Sequence, residues 1–234
     1  MPVSWRWTQG SGKLAVTNFG WRCRDGLICY DLAMFEHVLA QTLFAFALGY
    51  LLGSIPFGLL LTRAFGKGDI RAIGSGNIGA TNVLRTGSKG LAAATLVLDA
   101  AKGAAAVLIA RQLFPDAVHY AAAAALVGHL YPVWLKFRGG KGVATLLGIL
   151  IPLLPVAALI YAMVWTGLLL VGRISSVAGM TAAISAPVVA AVVGQDDLMP
   201  MLLGFAILVV WKHKANLARL ADGTEPRVGQ RPME

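Results

Sequence analysis

Long apolar runs parted by short basic segments constrain this chain more than any other feature. A membrane-crossing helix needs about 20 apolar residues. Runs of that kind occupy 38–62, 90–113, 117–135, 174–193 and 198–212, with a longer one at 143–172. Inside hydrocarbon every backbone N–H and C=O must find a partner within the protein, which leaves helices as the economical solution for such runs. Charged residues make up only 13% of the 234 residues, against about 25% in an average soluble domain. The chain therefore reads as an all-α polytopic membrane protein, and its net charge of +9 does not imply a nucleic-acid partner.

The positive charge is not spread evenly. Arg63, Lys67, Arg71, Arg85 and Lys89 lie between the first two runs, Lys136, Arg138 and Lys141 follow the third, and Lys212, Lys214, Arg219 and Arg227 follow the last. Basic loops stay on the cytoplasmic side. All three groups share that side only if 143–172 crosses twice. Pro152 and Pro155 supply the break. At 1.5 Å per residue, halves of about 12–15 residues reach about 18–23 Å, so these passes are short. The expected architecture is seven transmembrane helices, N-terminus outside and C-terminus cytoplasmic.

Residues 1–33 differ from the rest. They are polar, carry Trp5, Trp7 and Trp21, and lack the apolar core of a signal peptide. Met34 stands directly before the first apolar run, so the native start is expected at or near it. Residues 1–33 then form an unstructured extension, and 34–234 one transmembrane domain. Cys23 and Cys29 match no metal or redox spacing.

Three polar segments interrupt the apolar pattern. In the first, residues 71–85, Gly74, Gly76 and Gly79 alternate with Ser75, Asn77, Thr81 and Asn82, and Arg85 follows. Glycines let backbone amides turn around an anion, and arginine offers a forked cation suited to phosphate. A flexible connecting loop is the competing reading, and no Walker-type phosphate loop occurs. The second segment, 128–145, runs through His129, Tyr131, Trp134, Lys136 and Arg138 into Gly139-Gly140-Lys141-Gly142. It places Lys141 between glycines just ahead of a new helix. Lys136 and Arg138 also fit an interfacial anchor, and His129 fits a structural histidine. The third segment, 211–226, sets His213, Asn216 and Arg219 at helical spacing on one face, with Glu225 beyond the Asp222-Gly223 turn. Within the second run, Asp99 and Lys102 stand three apart. Ionisable groups in a membrane are costly, so they are expected to be functional or paired.

As a set these motifs resemble the bacterial acyl-phosphate-dependent glycerol-3-phosphate acyltransferase family, from about residue 36 to the end. The resemblance rests on Gly53-Ser-Ile-Pro-Phe-Gly58, on Gly-Ser-Gly-Asn-x-Gly-Ala-Thr-Asn with Arg85, on Lys-Phe-Arg-Gly-Gly-Lys-Gly-Val-Ala-Thr, and on His213, Asn216, Arg219 and Glu225. It implies transfer of a fatty acyl group from acyl phosphate to the sn-1 hydroxyl of glycerol 3-phosphate, in the inner membrane with a cytoplasmic active site. It implies no cofactor and no metal. The partners are the two substrates and membrane lipid.

Two phosphate-bearing substrates need several cations and amide donors at one place, and the three segments supply them. Phosphate is a good leaving group, so positioning and oxyanion stabilisation matter more than a covalent intermediate. No nucleophile elbow appears. The assigned core is Ser75, Arg85, Lys141, His213 and Asn216, holding the glycerol 3-phosphate head. Gly74, Gly76, Asn77, Gly79, Thr81 and Asn82 cradle the acyl phosphate, and Gly139, Gly140, Arg219 and Glu225 complete the substrate contacts. The general base is a substrate phosphate oxygen or His213. A small transporter of an organic anion is the alternative, because helices broken at glycine also occur in transporters.

Overall fold

The computed structural model describes residues 4–7, 14–17 and 26–229, with side chains from Met34 onward. The reading of Cys23 and Cys29 therefore lies outside what is described. The chain divides after Ala40. In the first part Ser4–Trp7 and Leu14–Thr17 pair as antiparallel strands β1 and β2. Apart from these two short strands, every described element is helical, in keeping with the all-α expectation. Helix α1, Gly26–Gly53, starts before Met34 and continues into the second part.

From Gln41 onward every regular element is helical. Among the described residues these are α2 (Phe57–Ala64), α3 (Ala80–Val83), α4 (Lys89–Leu113), α5 (Val118–Leu130), α6 (Val143–Leu153), α7 (Pro155–Gly172), α8 (Ser175–Val192), α9 (Met199–Lys212) and α10 (Lys214–Ala221). Four helical stretches are long and apolar enough to cross a membrane: Met34–Ala64, α4, α7 and α8. The pair α9 and α10, bent by 58° at His213, makes a fifth when taken as one span. The run 143–172 is two helices parted at Leu154, with unequal lengths rather than two halves. Eleven residues in α6 rise about 17 Å and eighteen in α7 about 27 Å. Pro155 explains the division, since a proline at the first helical position loses an N–H that had no partner anyway.

Small residues let the helices approach closely. A methyl group on Gly49 or Gly53 would strike the backbone of Ala121 or Ala125, and one on Gly148 that of Ala100. These are the small-residue contacts by which helices associate in lipid, where water no longer drives burial. The core they form is dominated by alanine and leucine, with Ala106, Ala110, Ala121, Leu126, Leu146, Ile149 and Leu202 fully or almost fully buried. Tyr161 of α7 donates its hydroxyl to the Val143 carbonyl at 2.9 Å and so fixes the start of α6.

The Gly53–Gly58 segment breaks the first span between α1 and α2. Pro56 has no N–H to give and α1 stops at Gly53, so the Ser54 and Ile55 carbonyls lie outside the helical ladder and are open to other donors. Trp134 Nε1 donates to the Ser54 carbonyl at 2.8 Å, and Lys102 Nζ to the Ile55 carbonyl at 2.7 Å. Asp99 lies 2.6 Å from the same ammonium, and both side chains are almost completely enclosed. The intramembrane pair is thus tied to the helix break. The Asp99 carboxylate neutralises the cation that caps it.

Candidate active site

The three polar segments meet at one end of the helices. Between them lies a polar cavity of about 210 Å³. Ser75, Gly76 and Asn77 line it from the first segment, and Gly139, Gly140 and Lys141 from the second. Lys212, Ala215, Asn216 and Arg219 close it from the third.

Each wall has a local cause. Gly74 and Gly76 adopt left-handed φ of 56° and 67°, which favours glycine. The loop they form is held from inside by Asn82. Its amide nitrogen donates to the carbonyls of Ile70, Ile73 and Asn77 at 2.8–2.9 Å, and its oxygen accepts from the Ser75 N–H. Asn82 is buried, outside the cavity wall, and its amide is spent on shaping the loop. Arg85 packs its side chain over Gly74, beside the wall rather than in it. Thr81 is exposed and Gly79 caps the short α3. Neither lines the cavity.

The second wall hangs from the end of α5. The Gly139 and Gly140 N–H groups donate to the Leu130 and His129 carbonyls. Lys136 and Phe137 carry left-handed φ values of 53° and 61°, unusual for residues with a Cβ. They turn the chain sharply back toward Gly139. Lys136 and Arg138 end up exposed and outside the cavity.

The third wall depends on the bend at His213, which carries α10 across the cavity mouth. Asn216 is the hub. Its oxygen accepts from Lys141 Nζ at 2.5 Å, and its nitrogen donates to Glu225 Oε1 at 2.5 Å. A flipped amide would set its NH₂ against the ammonium, so these two partners enforce one orientation. Glu225 also accepts from Ser176 Oγ at 2.6 Å and from Arg219 Nε at 2.8 Å. Burial raises the Glu225 carboxyl, but the hydrogen bonds from Ser176, Asn216 and Arg219 outweigh it, and the group sits below the usual glutamate range. With both oxygens engaged, Glu225 braces Asn216 and Arg219 and does not face the cavity. Ser176, from α8, and Lys212, whose Nζ donates to the Leu130 carbonyl at 3.0 Å, belong to this assembly although neither is among the substrate contacts assigned from the sequence.

Burial is the main cause that lowers Lys141 to about 8; Glu225 opposes it, while Arg219 and Arg85 add to it. The His213 ring is held at the bend between α9 and α10: its Nδ1 lies 2.7 Å from the Val209 carbonyl, which can only accept, so Nδ1 carries a proton, and Nε2 lies beside Gly179. The ring is buried and does not line the cavity. Lys141, Lys212 and Arg219 thus surround the cavity with more positive charge than Glu225 returns, and cations in a confined, partly desolvated place receive an anion.

Fold and site together define a class: an integral membrane protein with a polar, cation-lined cavity where its helices end. The profile of the family described as Glycerol-3-phosphate acyltransferase matches residues 43–223. The chain is 56% identical over 185 residues to a glycerol-3-phosphate acyltransferase of Mesorhizobium japonicum, covering 79% of this chain and 95% of that one. It is 55% identical over 185 residues to one from Erythrobacter litoralis, covering 79% and 94%. Among solved structures it resembles PlsY (YgiH), an integral membrane glycerol 3-phosphate acyltransferase in its glycerol 3-phosphate form. The TM-score is 0.76 at 39% identity, covering 80% of this chain and 96% of that one. The lysophosphatidic acid form of the same enzyme matches with a TM-score of 0.74 at 38% identity, covering 80% and 95%. The chain belongs to the glycerol-3-phosphate acyltransferase family.

Proposed function

We propose that this protein transfers a fatty acyl group from acyl phosphate to the sn-1 hydroxyl of glycerol 3-phosphate, releasing lysophosphatidic acid and phosphate as the first step of phospholipid synthesis. The observation that carries this reading is the convergence of Ser75, Lys141, Asn216 and Arg219 from three separate segments on one polar cavity. A volume of about 210 Å³ suits a small phosphorylated polyol and leaves the acyl chain to the apolar helix surfaces. The matching structure with glycerol 3-phosphate supports the acceptor, and that with lysophosphatidic acid supports the product.

In this reading Lys141 and Asn216 hold the glycerol 3-phosphate head, with Ser75, Arg85 and His213 around them. The glycine loop from Gly74 to Gly79 presents its amides to the acyl phosphate, with Thr81 at its edge and Asn82 keeping its shape. The sn-1 hydroxyl oxygen attacks the acyl carbon, and the bond from that carbon to the phosphate oxygen breaks. Phosphate leaves with the bonding electrons, and one of its oxygens takes the hydroxyl proton. The His213 ring has Nδ1 committed to the Val209 carbonyl and lies off the cavity wall, which favours the phosphate oxygen over His213 as the proton acceptor.

The basic loops support a cavity on the cytoplasmic face of the inner membrane. Counting α5, α6 and the α9–α10 pair as passes gives seven, with the N-terminus outside. In this reading residues 34–234 form one transmembrane domain. Residues 1–33 lie outside the family match, which begins at residue 43. The test is phosphate release by the detergent-purified protein given acyl phosphate and glycerol 3-phosphate. Release that depends on both substrates supports the reading. Release without glycerol 3-phosphate, or none from folded protein, overturns it.

A further inference from the structure

The site as described leaves one buried histidine unused. His129 is enclosed at the end of α5, and its Nδ1 has no hydrogen-bond partner. That nitrogen lies 3.7 Å from Asp99 Oδ1, beyond a direct hydrogen bond but within reach of the carboxylate's field. Asp99 is itself paired with Lys102, which is anchored to the Ile55 carbonyl. The other side of the imidazole faces the cavity wall. A methyl group on Gly140 would collide with His129 Nε2, and would lie 2.7 Å from Cε1 and 3.0 Å from Cδ2. Gly140 therefore rests on the imidazole ring, and the next residue is Lys141. The glycine at 140 is required by this contact rather than by its backbone, since its φ is not left-handed.

We propose that His129, braced by the Asp99–Lys102 pair, is a positioning residue whose ring sets the height of the Gly139–Lys141 loop and thereby the affinity of the cavity for the phosphate of glycerol 3-phosphate. The inference rests on reading that cavity as the glycerol 3-phosphate site. It links the helix break at Ile55 to the Lys141 ammonium through Lys102, Asp99, the imidazole and Gly140, each touching or facing the next. A histidine that only filled space would matter to stability alone. One that supports the loop matters to the substrate constant, and in a way that depends on the size of residue 140.

The test is a size swap. Gly140→Ala pushes the loop off its support and His129→Ala lets it sink. Each is expected to raise KM for glycerol 3-phosphate about tenfold, with kcat changed by less than about threefold. In the double variant the alanine methyl at 140 occupies space left by the ring, and KM is expected to return to within about threefold of the parent. His129→Gln, which keeps a bulky polar support, should stay near the parent value and guards against a failure of His129→Ala to fold. Midpoint shifts of unfolding with added glycerol 3-phosphate report affinity independently of the acyl donor. If the parent protein turns over and the double variant is as impaired as the worse single one, the inference is wrong and the functional reading stands. A parent protein that neither turns over nor binds glycerol 3-phosphate overturns both.

Discussion

Two polar networks in this protein use similar parts to opposite ends. Around the helix break, Lys102 meets Asp99 and the Ile55 carbonyl. Around the cavity, Lys141 meets Asn216, which is braced by Glu225 with Arg219 and Ser176. The first is enclosed and balanced, one cation against one carboxylate with no opening to a cavity. The second is surrounded by Lys141, Lys212 and Arg219 against one carboxylate, and its donors face open space. A balanced, closed network stabilises a strained piece of architecture, whereas an unbalanced, open one receives an anion. Having charged residues in a membrane helix does not separate these cases; the count of cations against carboxylates and the access to them do.

The comparison breaks first at Asp99. Asp99→Ala strips the carboxylate from a buried ammonium and is expected to cost about 3–5 kcal/mol of stability. It should appear as a fall in folded yield and in the midpoint of detergent-solubilised unfolding. Lys141→Ala should do the reverse, leaving stability within about 1 kcal/mol and lowering kcat/KM about a hundredfold, since a cavity-facing cation lost from a ligand mostly costs binding. Equal loss of stability in the two variants would erase the distinction drawn between the networks.

Smaller effects sharpen it. Glu225→Gln weakens the orientation of Asn216 and Arg219 without touching the cavity, so KM for glycerol 3-phosphate should rise about tenfold with modest loss of stability. The Lys141 ammonium titrates near 8, which makes affinity for the substrate phosphate full below that pH and weaker above it. From pH 8 to pH 9 KM should climb about fivefold, and Lys141→Arg, which stays charged, should flatten that limb. Lys136→Ala and Arg138→Ala lie outside the cavity and should change kcat/KM by less than about twofold.

The sequence reveals one side of this comparison better than the other. Glycine spacing and basic clusters mark all three segments of the cavity, and the prolines at 152 and 155 mark the break between α6 and α7. Side-chain direction is what they do not carry. Asn82 and Glu225 have the residue types of substrate ligands but spend their polar atoms on loop and hub. Ala215 reaches the cavity wall from beyond the 58° bend at His213. The Asp99–Lys102 spacing announces a pair within one helix, but its target is a carbonyl 47 residues away. Ser176 joins Glu225 across 49 residues. Contacts of that range follow from how the helices pack, which local patterns do not encode.

The central claim is that the cavity bounded by Ser75, Lys141 and Asn216 receives glycerol 3-phosphate. Calorimetric titration of glycerol 3-phosphate into the purified parent protein, Lys136→Ala and Lys141→Ala tests it directly. Saturable binding in the first two and none in the third is the predicted result. Binding to Lys141→Ala as tight as to the parent would contradict it.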